Sequence, residues 1–259
     1  MSISEIRTVS IAAPAYNESA SIREIVREWL DYLGRYPGLE DFEIVICNDG
    51  SRDATGAILD ELAAADRHVK PVHFAQNQGA AAALTTAIRH TTLEWVLLID
   101  TDGQYKIETL ASLAQTAQSS GCRAVMGMRL AKEDSFVTRF GSAMSGSLCN
   151  WFHRTHIRDF NCALKLVDGD VVRALHLEAR GLNYSADVTS KLIEHDVQIA
   201  ETPVEHGARE SGRSSSQNLR SMIHRIWFVL YLGYRQFLIR NGILQRPSLT
   251  PARIRTRGV

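Results

Sequence analysis

Two carboxylates separated by one residue, Asp100-Thr101-Asp102, directly follow the apolar run Val96-Leu97-Leu98-Ile99 and precede Gly103 and Gln104. Carboxylates this close repel each other unless a cation neutralises them. Hard oxygen donors suit Mg²⁺ or Mn²⁺, ions that keep coordination positions open for substrate phosphates. The amide oxygen of Gln104 offers a third ligand. The competing reading is an aspartate that caps the next helix, since Asp is favoured at N-caps. An EF-hand loop is excluded, because its twelfth position counted from Asp100 is Ala111 rather than a bidentate glutamate.

The run before the pair is continuous rather than alternating, which reads as a buried parallel strand. Further strands are expected at Val9–Ala13, Phe42–Cys47, Val69–Phe74, Arg123–Met128, Phe160–Val167 and Val197–Val204. Between them lie helical patterns. Ile22, Ile25, Val26, Trp29 and Leu33 fit one helix, begun by Ser19 or Ser21. Ile58, Leu59 and Leu62 fit a second, capped by Ser51 or Asp53. Ala80–Arg89, Ile107–Ala117 and Tyr184–Glu194 read as three more. This alternation implies right-handed crossovers and an α/β fold around a parallel sheet. Ligands of such sheets bind beyond the carboxyl ends of the strands. Three carboxylate-bearing clusters, Tyr16–Glu18, Asn48–Ser51 and Asp100–Gln104, then fall on one rim and make a ligand site.

Composition sets the outer limits. The chain has 259 residues and is 45% hydrophobic, enough for one large α/β domain or for one domain with an appendage. Cys47, Cys122, Cys149 and Cys162 are too scattered for a zinc or disulfide set and read as buried thiols. The net charge is zero, yet from Gly207 onward there are ten Arg, no Lys and one acid, Glu210. A basic tail on an acidic body suggests an anionic partner surface. Phe140, Met144, Leu148 and Trp151/Phe152 form one helical stripe, read as core before membrane contact. Leu219–Ile239 is a further helical pattern that could pack on the body, meet a second copy or lie on a membrane. The apolar run Ile226–Tyr234 is too short to span a bilayer. No secretory signal is legible at the N-terminus, so a cytoplasmic location, peripheral on a membrane, is the expectation.

Several chemistries are excluded by motif. The chain lacks a P-loop, a Gly-x-Gly-x-x-Gly after the first strand, a Gly-x-Ser-x-Gly elbow and a His-Glu-x-x-His. What remains suits a nucleoside diphosphate, with a carboxylate-held metal stabilising charge on the leaving group.

Pro14-Ala15-Tyr16-Asn17-Glu18, Asn48-Asp49-Gly50-Ser51-Arg52-Asp53 and Asp100-Thr101-Asp102-Gly103-Gln104 together resemble the family 2 glycosyltransferases. Arg158-Asp159-Phe160-Asn161-Cys162-Ala163-Leu164-Lys165, Glu201-Thr202-Pro203-Val204 and Arg209-Glu210-Ser211-Gly212-Arg213-Ser214-Ser215 are similar to the dolichol-phosphate mannose synthase and polyprenyl-phosphate glycosyltransferase branch. The resemblance covers about residues 8–216 and implies a GT-A fold, three-layered and Rossmann-like, with a mostly parallel central sheet. With the residue pattern beyond it, the chain divides into a catalytic domain over 1–216, a C-terminal amphipathic helix over 217–244 and a basic tail over 245–259.

The resemblance implies a role for each matching position. Pro14, Tyr16 and Glu18 line the nucleoside pocket, and Asp49 binds the base edge. Asp100, Asp102 and Gln104 hold Mg²⁺ or Mn²⁺ on the diphosphate. Arg129 faces the diphosphate or an acceptor phosphate, Arg209 and Arg213 close over the phosphates, and Asp159 lies near the sugar and acceptor. Asp102, Asp159 and Arg209 are the expected catalytic set. Asp159 or Asp187 would serve as base for a hydroxyl acceptor, although Asp187 also reads as a solvated helix residue. The implied partners are a UDP- or GDP-linked sugar, a polyprenyl phosphate and an anionic membrane, with a homo-oligomer left open and nucleic acid disfavoured. A soluble acceptor, or a regulator that binds nucleotide sugars without turnover, are the rival readings. Three departures bear on donor and acceptor identity: Asn48 replaces the usual first Asp, Gln78–Ala81 lacks the usual Lys, and Ser215 replaces a Lys.

Overall fold

A computed structural model of the chain describes residues 6–130, 136–179, 181–207 and 219–245, with side chains left out at 136–143, 182 and 219–225. In chain order the elements are β1 (Thr8–Ala15), α1 (Ile22–Arg35), β2 (Asp41–Asn48), α2 (Thr55–Ala65), β3 (Val69–His73), α3 (Ala80–His90), β4 (Trp95–Leu98) and α4 (Thr109–Ser120). They continue as β5 (Ala124–Arg129), α5 (Phe136–His153), β6 (Lys165–Asp168), α6 (Gly169–Ala174), α7 (Tyr184–Glu194), β7 (Ile199–Val204) and α8 (Leu219–Arg240).

The strands form one seven-stranded sheet in the order β3-β2-β1-β4-β6-β5-β7. β6 runs antiparallel to both neighbours, and every other pair is parallel. Alternate residues of the central strands feed two cores. Ile11 and Leu97 face α1 and α4 through Trp29, Leu110 and Leu113. Ala12, Val96 and Leu98 face α3 and α7 through Leu84, Ala87, Val188 and Leu192. The two cores lie on opposite faces of the sheet, so the chain forms three layers around it, an α/β fold of the kind that the βαβ alternation implies. Ala83 and Ala87 are fully buried, because small side chains let α3 lie close on the sheet.

The expected strand Phe160–Val167 is corrected. Residues 158–161 are turn, and the strand is only Lys165–Asp168. Phe160, Cys162 and Leu164 are buried without belonging to a strand, since burial alone does not distinguish a strand from a buried turn or connection. Neither expected cap of α2 is its N-cap, which is Ala54; Asp53 instead accepts from the backbone and hydroxyl of Thr55 and from the Ser19 amide.

α8 lies on the body with one face. Val229 and Leu232 pack with Cys149, Phe160 and Ala186. Arg235 ion-pairs with Glu194 at 3.1 Å and Glu178 at 3.5 Å, and buried Lys191 binds the same two carboxylates. A Cβ at Gly233 would run into the ring of Phe152, so only glycine lets α8 approach α5 this closely. No helix among the described residues is long and apolar enough to cross a membrane.

Gly127 in β5 plays a similar part at the rim. A Cβ there would meet Cys162 Sγ and Val204 Cγ2, both at 2.9 Å. Gly127→Ala is expected to lower stability by about 1–3 kcal/mol, the usual cost of overpacking. Urea denaturation of the two proteins measures it.

Candidate active site

All parallel strands point their carboxyl ends at one rim, and the loops that leave them are stitched together there. The Asp49 amide donates to Ala15 O at 2.8 Å. Asn17 N donates to Ser51 Oγ, Arg52 N to Asn17 Oδ1, and Glu18 N to Thr55 Oγ1, all within 2.9 Å. Thr101 Oγ1 donates to Pro14 O at 2.9 Å, tying the Asp-x-Asp loop to the first loop. The three polar clusters expected on one rim are therefore one connected surface. Tyr16 is exposed there, while Pro14 and Glu18 are half-buried.

Asp49 is buried, and its carboxylate is already occupied. It accepts from Asn77 Nδ2, Gln78 N and Gly79 N at 2.7–3.1 Å. Burial raises its pKa despite the Gln78 and Gly79 amides. In this conformation Asp49 braces the third loop beside the site. Gly50 takes φ +65 against the backbone of Gln76 and Asn77, an approach that only glycine allows.

The carboxylate pair sits where β4 ends. Asp102 is 5% exposed and its Oδ1 accepts from Gln104 N at 3.2 Å. Asp100 Oδ1 accepts from the Tyr184 hydroxyl at 2.6 Å. Burial, then the Asp100 charge, hold that phenol well above its ordinary pKa, so it remains a donor. Gln104 Nε2 donates to Gly207 O at 3.2 Å, which leaves Oε1 as the acceptor end of the amide. Gly207 N in turn donates to Gln104 O at 2.9 Å. No group of three or more His, Cys, Asp or Glu converges among the described residues. The oxygen set on this loop is two carboxylates and an amide. That set fits Mg²⁺ or Mn²⁺, ions that take one or two carboxylates and complete their shell with water and substrate phosphates.

β5 delivers Arg129 to the same rim. Its Nε donates to Asp159 Oδ2 at 2.6 Å and its Nη2 to Asp159 Oδ1 at 3.0 Å. The pair is nearly dry, with side-chain exposures of 11% and 3%. Burial opposes the guanidinium charge, but the Asp159 bond holds its pKa above the usual value. Both residues expected at the site are thus joined to each other. Glu201 Oε1 accepts from the amides of Arg158 and Asp159 and fixes that turn on β7. Arg209 and Arg213 lie outside the described residues; their segment begins one residue after Gly207, which is bonded to Gln104.

Asp187 is not solvated. It is fully buried on α7, and Oδ2 accepts from the amides of Glu178 and Ala179, in the connection that leads from α6. Oδ1 has no hydrogen-bond partner. Burial, opposed by those amides, raises its pKa to about 6. A raised folded-state carboxylate pKa means the native state binds the proton more tightly. Stability from this group is full below its unfolded pKa and is lost as pH rises through about 6. Urea unfolding between pH 4 and 7.5 should lose about 2 kcal/mol more in the wild type than in Asp187→Asn, which keeps an acceptor for both amides.

Two residues of the site carried no role in the sequence reading. Lys165 is fully buried at the start of β6, where its register partner is Leu98 of β4. Nζ donates to Cys162 O and, at 2.8 Å, to Ser185 Oγ. Burial lowers its pKa to about 8, with Asp159 and Asp100 opposing the loss of charge. The signal was a single lysine inside the apolar run Ala163-Leu164-Lys165-Leu166-Val167. Tyr184, the donor to Asp100, carried no signal beyond its place at a helix start.

The model of the glycosyl transferase family 2 matches residues 10–173, spanning β1 through α6. The chain belongs to that family. An undecaprenyl-phosphate 4-deoxy-4-formamido-L-arabinose transferase of Shewanella sediminis is 28% identical over 210 residues, covering 80% of this chain and 61% of that protein. The same-named transferase of Edwardsiella ictaluri is 28% identical over 214 residues, covering 81% and 63%. The chain thus spans about three fifths of the length of these curated relatives. Among solved structures, mannosyl-3-phosphoglycerate synthase from Rubrobacter xylanophilus aligns with a TM-score of 0.69 at 20% identity, over 92% of this chain and 76% of that one. Glucosyl-3-phosphoglycerate synthase from Mycobacterium tuberculosis, in complex with Mn²⁺, UDP-glucose and phosphoglyceric acid, aligns with a TM-score of 0.67 at 16% identity, over 88% and 80%. These likenesses support the three-layer GT-A fold of this family 2 domain.

Proposed function

We propose that this family 2 domain transfers a sugar, with inversion, from a nucleoside diphosphate sugar to a polyprenyl phosphate. The observation that carries the reading is the Asp100–Asp102–Gln104 loop, tied by Thr101 to the end of β1 on the carboxyl rim to which β5 also delivers Arg129. Asp100, Asp102 and Gln104 would hold the divalent ion, which supplies charge stabilisation to the departing diphosphate. Pro14, Tyr16 and Glu18 frame the nucleoside, and Asp49 shapes the base pocket through the third loop it braces. Tyr184 holds Asp100 in place.

Arg129 spends Nε and Nη2 on Asp159, so its Nη1 edge keeps donors for a phosphate. Asp159 fixes that orientation. Arg209 and Arg213 complete the anion contacts from the segment after Gly207. In the transfer, an acceptor phosphate oxygen bonds to the anomeric carbon as the bond from that carbon to the diphosphate oxygen breaks. The electron pair leaves with the nucleoside diphosphate. A phosphate acceptor is already anionic, so no strong base is needed.

The names of the sequence relatives support the lipid-phosphate acceptor, and the ligands of the Mycobacterium tuberculosis enzyme make UDP and Mn²⁺ the first pair to test. Purified protein would be incubated with Mg²⁺ or Mn²⁺, mixed UDP- and GDP-sugars and a polyprenyl phosphate. Mass spectrometry of the organic phase is expected to show one glycosylated lipid phosphate, lost with chelator. Metal-dependent consumption of a donor with no lipid product, and product on added phosphoglyceric acid instead, would overturn the acceptor.

A further inference from the structure

α8 turns an apolar side outward. Ile226, Trp227, Leu230, Tyr231, Tyr234 and Phe237 are all exposed, Trp227 to 68% and Tyr234 to 61%. At 3.6 residues per turn these six share one arc roughly 140° wide. The opposite arc, with Val229, Leu232, Gln236 and Ile239, is buried on the body. A surface helix ordinarily shows the reverse, so this face calls for a partner. α5 extends the face with Trp151, 72% exposed. Between the two helices lies a cavity of about 380 Å³ lined by Trp151, Phe152, Tyr234 and Phe237 together with Arg154 and Arg240.

Charge selects the occupant. The cavity lining contains two arginines and no acid. After α8, residues 241–259 hold Arg246, Arg253, Arg255 and Arg257 with no Asp or Glu. A second copy docked across a two-fold axis would bring Arg154 and Arg240 of both copies into one interface, with no acid in the groove lining to offset them. An anionic bilayer satisfies both features, because Trp and Tyr rings settle at headgroup level and arginines pair with lipid phosphates.

We infer that the outward arc of α8, with the α5–α8 groove, docks on an anionic lipid bilayer. The buried face beneath it packs on Phe160 and Ala186, the residues that follow Asp159 and Ser185. The inference rests on the proposed function only for the reason a membrane is visited, and it is measured without turnover.

The full chain would be floated with vesicles of phosphatidylcholine alone and with an equimolar mixture containing phosphatidylglycerol. The variant combines Trp227→Ser, Tyr234→Ser and Phe237→Ser, all at exposed positions, with its melting temperature as a folding control. The wild type is expected to float with the anionic vesicles, more weakly at high salt, and the variant to bind roughly tenfold or more weaker, because binding scales with inserted apolar area. Tryptophan emission should shift to the blue on docking, since Trp151 and Trp227 are exposed while Trp29 and Trp95 are buried. Wild-type protein that stays in solution, or a variant that floats equally well, would overturn the inference. So would a wild-type dimer that the variant dissociates, with no vesicle binding by either. Flotation that holds while sugar transfer is absent supports the docking and overturns the reaction instead.

Discussion

Asp102→Asn is expected to lower metal-dependent turnover by about a thousandfold, the scale of removing a charge that stabilises the transition state. The fold should not suffer. Asn keeps an acceptor for the Gln104 amide, which now bonds Asp102 Oδ1 at 3.2 Å. It also removes one of two adjacent carboxylates, so the metal-free variant should melt at the same temperature or higher. Turnover and melting curves, each with and without Mn²⁺, measure this. The wild type should gain thermal stability from Mn²⁺ plus nucleoside diphosphate, and the variant should gain little. Undiminished turnover in a folded Asp102→Asn protein would remove the carboxylate pair from the reaction.

The largest effect on stability is expected at the Arg129–Asp159 pair. Asp159→Leu leaves a buried guanidinium without its counter-charge, at a cost of about 3–5 kcal/mol. Arg129→Met together with Asp159→Leu replaces both charges by apolar groups and should recover most of that loss. Activity should not return, because the arginine proposed to bind phosphate is gone. Urea denaturation and turnover of the single and double variants separate the two roles. A double variant as unstable as Asp159→Leu would mean that the pair is embedded in a wider network. A double variant as active as the wild type would remove Arg129 from the site.

Much of the fold was legible because its signals were local and redundant. Continuous apolar runs ending in polar clusters marked β1, β2 and β4, and the βαβ alternation placed those clusters on one rim. α7 was read at its observed bounds, Tyr184–Glu194. β6 was misread because the turn at 158–161 buries Phe160 as thoroughly as a strand would. Asp187 was open to misreading for a related reason. A carboxylate on a helix ordinarily points to water, and the two backbone amides that draw this one inside belong to residues eight and nine positions earlier. The Arg129–Asp159 pair joins residues thirty positions apart, and the antiparallel turn of β6 that brings them together left no sequence pattern. The outward apolar arc of α8 was visible only as a helical period. Which side faced the body depended on Gly233 against Phe152 and on Arg235 between Glu178 and Glu194.

Anomalous scattering from crystals grown with Mn²⁺ and UDP or GDP would test the site most directly. The expected result is a single manganese peak within coordinating distance of the Asp102 carboxylate, with Asp100 and Gln104 alongside and the nucleoside against Tyr16. A nucleotide bound elsewhere on the chain, or one seated on the rim with no metal at Asp100–Asp102, would contradict the account.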